Sequence, residues 1–238
     1  MNIIITMAGL GSRFRNAGYD VPKYMIEVKG KTLFEWAMDS LLDYNPHVSS
    51  YFFIVRVEDN AMEFIKEKCP NYGLYNNKVI EIDYTTDGQA TTAMLAMPYC
   101  QKDESLLIYN IDTYVESGEM KYADLSGDGC IPCFHADGDH WSFVRLNGEG
   151  KAVEVVEKKR ISDNCTLGAY YFSSADLYSQ LYSEYYKAEK SCKEKYIAPL
   201  YDYLIKSEGK VMISIVDEKK VHVLGTPEEL EVFKKQYA

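Results

Sequence analysis

Three stretches of this chain, residues 3–7, 51–57 and 105–111, are apolar almost without a break. A strand with one solvated face alternates polar and apolar residues. A strand apolar on both faces belongs inside a parallel sheet covered by helices. Between these runs the period changes: Leu33, Phe34, Ala37, Met38 and Leu41 recur at helical spacing within residues 31–42. Residues 61–68 and 91–97 read as further helices, and 78–84 as a strand. Alternating strand and helix over the first half builds βαβ units. The expected fold is therefore α/β, with a Rossmann-like, mostly parallel sheet.

The second half predicts short strands at residues 129–134, 143–146, 153–156, 167–172, 211–216 and 220–224. Asn147-Gly148-Glu149-Gly150 is a hairpin signal between two of them. Helices are predicted at 175–190, 197–207 and 227–236, the last capped by Thr226. Tyr178, Tyr182, Tyr185 and Tyr186 share one side of the first, a spacing that suits a homodimer surface and an internal face equally. With no linker or repeat in view, residues 1–238 read as one domain with a small antiparallel addition.

The first apolar run empties into Met7-Ala8-Gly9-Leu10-Gly11-Ser12-Arg13, and Pro22-Lys23 follows. Glycines there let backbone N–H groups approach an anion closely. Arg13 adds a fixed charged fork and Lys23 a mobile point charge. A Walker A loop would end in Gly-Lys-Ser/Thr, and the dinucleotide fingerprint needs a third glycine where Phe14 stands. The loop is a phosphate cradle of another kind. The net charge of −10 argues against a nucleic-acid partner. A local basic site in an acidic protein suits a small polyanion chelated to a divalent cation.

No stretch approaches the length of a membrane span, and Met1-Asn2 has no positively charged leader region. The six cysteines are scattered and read as reduced thiols. The expectation is a cytoplasmic protein with no membrane partner. Cys130-Ile131-Pro132-Cys133 has redox spacing but no second Cys or His pair beside it, and reads as two strand cysteines.

Asp112 ends the third apolar run, at the carboxyl edge of the sheet where open α/β proteins bind ligands. A carboxylate there, facing the glycine loop, is placed to carry Mg2+. Gly88-Gln89-Ala90-Thr91-Thr92 offers an amide and two hydroxyls at a helix start, suited to a base edge or a phosphate. Glu157-Lys158 with Asn164 could hold sugar hydroxyls and a phosphate, and Trp141 could form an apolar or cation–π wall.

Taken in order, these segments resemble the sugar-phosphate nucleotidylyltransferases, a family that includes nucleoside-diphosphate-sugar pyrophosphorylases and phosphocholine cytidylyltransferases. Ala8-Gly9-Leu10-Gly11-Ser12-Arg13 looks like the family's A-G-x-G-S/T-R signature, and Pro22-Lys23 like its Pro-Lys. Asp112 matches its metal aspartate. Glu157-Lys158-Lys159 through Asn164 and Gly168-Ala169-Tyr170 is similar to E-K-P…N…G-x-Y, and Gly225-Thr226-Pro227-Glu228-Glu229-Leu230 to G-T-P-E-D-L. The resemblance covers nearly the whole chain.

It implies a GT-A-like nucleotidyltransferase fold and transfer of a nucleotidyl group from a nucleoside triphosphate to a phosphorylated small molecule. Pyrophosphate is released, in the service of bacterial surface-glycan or capsule precursors. Residues 7–13 with Gly88, Gln89 and Ala90 would bind the nucleotide. Arg13, within that set, would hold the β- and γ-phosphates; Lys23 would neutralise the α-phosphate and Asp112 would hold Mg2+, these three being the catalytic residues. Trp141, Glu157, Lys158 and Asn164 would contact the acceptor.

Two departures stand out. The family commonly places a second metal aspartate two residues before the C-terminal glycine, where this chain has Val223. Either another carboxylate completes the site, Asp217 being the nearest upstream, or one protein ligand suffices alongside phosphates and water. The family's Glu-Lys-Pro is also Glu-Lys-Lys here. Two other readings compete. A GT-A glycosyltransferase would usually present Asp-x-Asp, and Asp112-Thr113-Tyr114 lacks the second aspartate. A non-catalytic nucleotide-binding module would keep the loop and lose the chemistry.

Overall fold

The computed structural model describes residues 1–188 and 193–236. In chain order its strands are β1 Asn2–Thr6, β2 Glu27–Val28, β3 Lys31–Thr32, β4 Ser50–Arg56, β5 Asn77–Ile82, β6 Leu106–Asn110 and β7 Thr113–Val115. The second half adds β8 Gly129–His135, β9 Ser142–Leu146, β10 Ala152–Glu157, β11 Asn164–Thr166, β12 Ala169–Phe172, β13 Val211–Ile215 and β14 Val221–Val223. The α-helices are α1 Ser12–Asn16, α2 Leu33–Asp39, α3 Met62–Lys68, α4 Gln89–Met94, α5 Ala175–Ala188, α6 Ala198–Lys206 and α7 Pro227–Gln236.

The three apolar runs become β1, β4 and β6, side by side and parallel. Ile4 stands opposite Phe52 on one neighbour and Ile108 on the other. Their lack of alternation has a direct cause. Ile3, Ile5, Phe53 and Leu107 enter a core shared with Phe34, Met38 and Leu41 of the α2 region. Ile4, Phe52, Ile54 and Ile108 enter the opposite core with Ala93, Tyr178 and Tyr201 of α4, α5 and α6. Both faces are covered, so both must be apolar. Each such fully buried side chain contributes roughly 1.5–3 kcal/mol of transfer free energy.

The expected α/β, Rossmann-like fold is present, and its antiparallel addition continues the same sheet. The order is β10-β9-β11-β8-β12-β6-β1-β4-β5, with β13 also paired to β8. β12 joins antiparallel to β6 and to β8 and carries the second half of the chain onto the parallel part. The turn at Asn147 closes the β9–β10 hairpin as its sequence predicts, with Asn147 N–H donating to the Lys151 carbonyl.

The shortest elements, α1, β2, β3, β7 and β11, escape the sequence reading. β7 and β14 pair antiparallel in a small separate ladder, and the three-residue β11 bridges β8 and β9. The helix expected over residues 31–42 is shorter, because Lys31 and Thr32 pair with Glu27 and Val28 before α2 begins. Thr32 then caps it: its side chain accepts from Glu35 N–H at 3.2 Å while Glu35 accepts from Thr32 N–H at 2.9 Å. Thr32→Ala removes one arm of this capping box. It is expected to cost about 1 kcal/mol and to lower the melting temperature by roughly 2–4 °C in a thermal scan.

Cys130 and Cys133 lie fully buried on β8 as free thiols, and burial pushes the Cys130 thiol up to about 11. The tyrosine stripe of α5 packs inward. Tyr178 is fully buried and donates to the Ala90 carbonyl at 2.7 Å, and Tyr186 donates to the Tyr196 carbonyl. No helix among the described residues is long and apolar enough to cross a membrane.

Candidate active site

β1 delivers the chain to the glycine loop at the carboxyl edge of the sheet. Met7 N–H donates to the Ile54 carbonyl at 2.9 Å, which ties the loop's first residue to β4. Gly11 then takes a left-handed φ of 61° as the residue preceding α1. A Cβ on Gly9 would meet nothing within 4 Å, so the space above it lies open to a ligand. That space is a cleft of about 370 Å³ lined by residues 6–10, Lys23, Thr85, Thr86, Gly88 and Gln89.

A second cleft, about 270 Å³, opens on the other side of β6 and is lined by Arg13, Trp141, Ser142, Glu157, Tyr170 and Tyr196. Gln89, Asn110 and Asp112 line both. At that junction Lys23 Nζ lies 2.6 Å from Asp112 Oδ2. Burial pushes the Asp112 carboxyl up, but the Lys23 ammonium, with a backbone hydrogen bond and the Arg13 charge, outweighs it, and the carboxyl titrates below its usual range. Gln89 Nε2 donates to Thr6 Oγ1 at 3.1 Å and to Asn110 Oδ1, which ties the start of α4 to the ends of β1 and β6.

No family model matches the sequence, and no curated protein matches it. Among solved structures, the nucleoside-diphosphate-sugar pyrophosphorylase from Vibrio cholerae RC9 aligns over 99% of this chain and 100% of its own, at 33% identity and a TM-score of 0.90. This chain belongs to the nucleotidylyltransferase family. The inositol-1-phosphate CTP transferase from T. maritima shares the fold at 18% identity and a TM-score of 0.77, over 98% of this chain and 93% of that one. The CTP:phosphocholine cytidylyltransferase from Streptococcus pneumoniae shares it at 16% identity and a TM-score of 0.77, over 100% and 99%.

In this nucleotidylyltransferase the structure gathers most, but not all, of the residues that the sequence singles out. Met7, Ala8, Gly9, Leu10, Lys23, Gly88 and Gln89 line the first cleft, and Trp141 and Glu157 the second. Arg13 lines the second cleft and not the first. Ser12 is exposed, and neither it nor Gly11 lines either large cleft. Ala90 is fully buried, and its N–H is taken by the Lys195 carbonyl at 3.0 Å.

Two acceptor-side candidates do not line the second cleft. Asn164 Nδ2 donates to the Val144 carbonyl at 3.0 Å, so its amide is used to hold β9. Lys158 reaches out to Tyr196, with Nζ 2.5 Å from the hydroxyl and 4.4 Å from the ring centroid. Glu157 stays in the cleft and accepts from Ser142 Oγ. Burial raises its pKa, against the pull of that hydroxyl and of Lys158.

The sequence reading missed Thr86, Asn110 and Tyr196. Asn110 carried a signal, as a polar residue closing an apolar strand. Tyr196 carried none, because only the fold brings residues 194–197 back across the clefts. Lys195 packs its backbone on Gly88, where a Cβ would stand 2.4 Å from its carbonyl oxygen.

Among the described residues no group of three or more His, Cys, Asp or Glu side chains is placed to hold a metal. A magnesium ion arriving on a triphosphate uses only one or two carboxylates, and Asp112 at the junction fits that need. Asp217 does not contribute: it is exposed, lines neither cleft, and accepts from Lys219 N–H at 3.0 Å.

Proposed function

We propose that this protein transfers a nucleotidyl group from a nucleoside triphosphate to a phosphorylated small molecule, with release of pyrophosphate. The observation that carries this reading is the junction: two clefts of substrate size meet at Gln89, Asn110 and Asp112. Two substrates seated on either side approach each other there, as in-line transfer between phosphates requires. An acceptor phosphate oxygen forms a bond to the α-phosphorus while the bond from that phosphorus to the bridging oxygen of the β-phosphate breaks. The acceptor phosphate is already an anion, so no side chain has to remove a proton. Position and charge carry the rate.

In this reading the loop at residues 7–11 offers backbone N–H groups to the triphosphate. Lys23 neutralises charge developing at the α-phosphate. Arg13, on the far side of the junction, draws the acceptor phosphate toward the same point. Asp112 would hold a magnesium ion, which would supply charge neutralisation for the triphosphate. Trp141, Ser142 and Glu157 contact the acceptor's body. The similar structures are named for a nucleoside-diphosphate sugar, inositol 1-phosphate and phosphocholine, which supports an acceptor of that size class.

The test is pyrophosphate release with magnesium, each nucleoside triphosphate in turn, and a panel of sugar 1-phosphates, polyol phosphates and phosphorylated amino alcohols. One triphosphate with one acceptor is expected to release pyrophosphate and form the nucleotide-linked acceptor in equal amounts. Binding of a triphosphate with no release from any pair would sink the reading and leave a nucleotide-binding module.

A further inference from the structure

We propose that Glu229 is the second protein ligand for the divalent cation that Asp112 holds, supplying from α7 the carboxylate that position 223 lacks. The inference rests on the nucleotidyl-transfer reading and goes beyond it to a residue to which the sequence reading assigns no role.

Three observations converge on Glu229. Its Oε2 is buried and makes no hydrogen bond, the one such side-chain atom among the described residues. A buried carboxylate oxygen with no partner is costly, and native structures keep such an atom for a reason. The second observation is local. Thr226-Pro227-Glu228-Glu229 is a capping-box sequence like Thr32-Leu33-Phe34-Glu35, and Thr226 Oγ1 accepts from Glu229 N–H at 3.1 Å. In α2 the box closes, with Glu35 Oε2 2.9 Å from Thr32 N. At α7 Glu229 Oε2 makes no such return bond and is held beside the second cleft. The α7 cap is left half-made, and the carboxylate is available for something else.

The third observation says what for. A Cβ built on Gly225 would stand 3.3 Å from Asp112 Oδ2 and 3.5 Å from Glu229 Oε2. The two carboxylates therefore flank one small space, and glycine at 225 keeps it open. Val223 lines the same cleft, so the missing carboxylate and its substitute address one place. Two hard oxygen ligands with phosphates and water completing the shell are what magnesium or manganese takes.

The experiment uses the full chain with Mn2+ and the α,β-methylene analogue of each nucleoside triphosphate. Protein-bound Mn2+ is read from water-proton relaxation enhancement. Glu229→Gln and Asp112→Asn are each expected to weaken Mn2+ binding at least tenfold. The melting temperature of Glu229→Gln is expected to hold, because glutamine keeps the size and hydrogen-bonding capacity of the side chain. Wild-type affinity in Glu229→Gln beside a loss in Asp112→Asn would overturn the proposal and leave the metal reading standing. A lowered melting temperature with unchanged affinity would reduce Glu229 to a structural role and overturn it too. Unchanged affinity in both variants would remove the cation from Asp112, and this inference with it.

Discussion

Asp112→Asn is expected to lower kcat/KM for pyrophosphate release by about 10²–10³, the range seen when one electrostatic contact to a developing charge is removed. The substitution keeps size and one oxygen, so Lys23 retains an acceptor near its 2.6 Å contact. Only the negative charge goes. The native carboxyl titrates below its ordinary range, so its pairing with Lys23 is complete at neutral pH and is lost as pH falls through that depressed value. The wild type should therefore shed this part of its stability in acid, and the variant should not. Initial rates for both proteins, with melting temperatures measured from neutral pH into acid, separate the two effects. A variant with wild-type rates would remove Asp112 from the chemistry.

Gly168→Ala is expected to damage both stability and rate. Gly168 has φ +89°, and its N–H and carbonyl lie in the turn between β11 and β12. A Cβ there would stand 2.5 Å from Asn110 Nδ2, while Asn110 N–H donates to the Gly168 carbonyl at 3.0 Å. Two terms add. A left-handed backbone costs a residue with a Cβ roughly 1–2 kcal/mol. The clash moves Asn110, which belongs to both clefts and accepts from Gln89. The melting temperature is expected to fall by about 4–8 °C, and kcat/KM by about 10² as the junction shifts. Gly150→Ala isolates the first term, since Gly150 has φ +77° and open space around its missing Cβ. Equal losses of rate in the two variants would show that Asn110 does not align the substrates.

Much of this arrangement is legible in the sequence, and particular residues show why. Ile3, Ile4 and Ile5 face two different cores, so their uninterrupted apolarity encodes a covered parallel strand. The loop that follows is readable because glycine and arginine are rare partners at a strand end. Asp112 is readable because a charge directly after an apolar strand has few structural uses. What the sequence conceals is how a side chain is spent once its neighbours arrive. Asn164 looks like a ligand-binding amide, yet the Val144 carbonyl claims it. Lys158 looks like a phosphate ligand, yet Tyr196, distant in sequence, draws it off. Glu229 errs in the other direction: the sequence assigns it no role beyond its place in the Gly225–Leu230 segment, and only the half-made box reveals a carboxylate in reserve. The short β7 and β11 are invisible for a related reason. Three residues carry no period, and the pairing that defines them is with distant chain.

The joining of β12 to β6 has a consequence for how substrate preference can diverge. Both clefts are cut against one continuous hydrogen-bonded ladder, and two of the residues they share, Asn110 and Asp112, sit at or just past the end of β6. In the nucleotidyl-transfer reading, the spacing between donor and acceptor is thus set by paired backbone. Rim segments around Thr86 on one side and Trp141 on the other can be exchanged separately, each altering what is admitted without disturbing the alignment. A scaffold of this kind separates the choice of cargo from the geometry of the reaction.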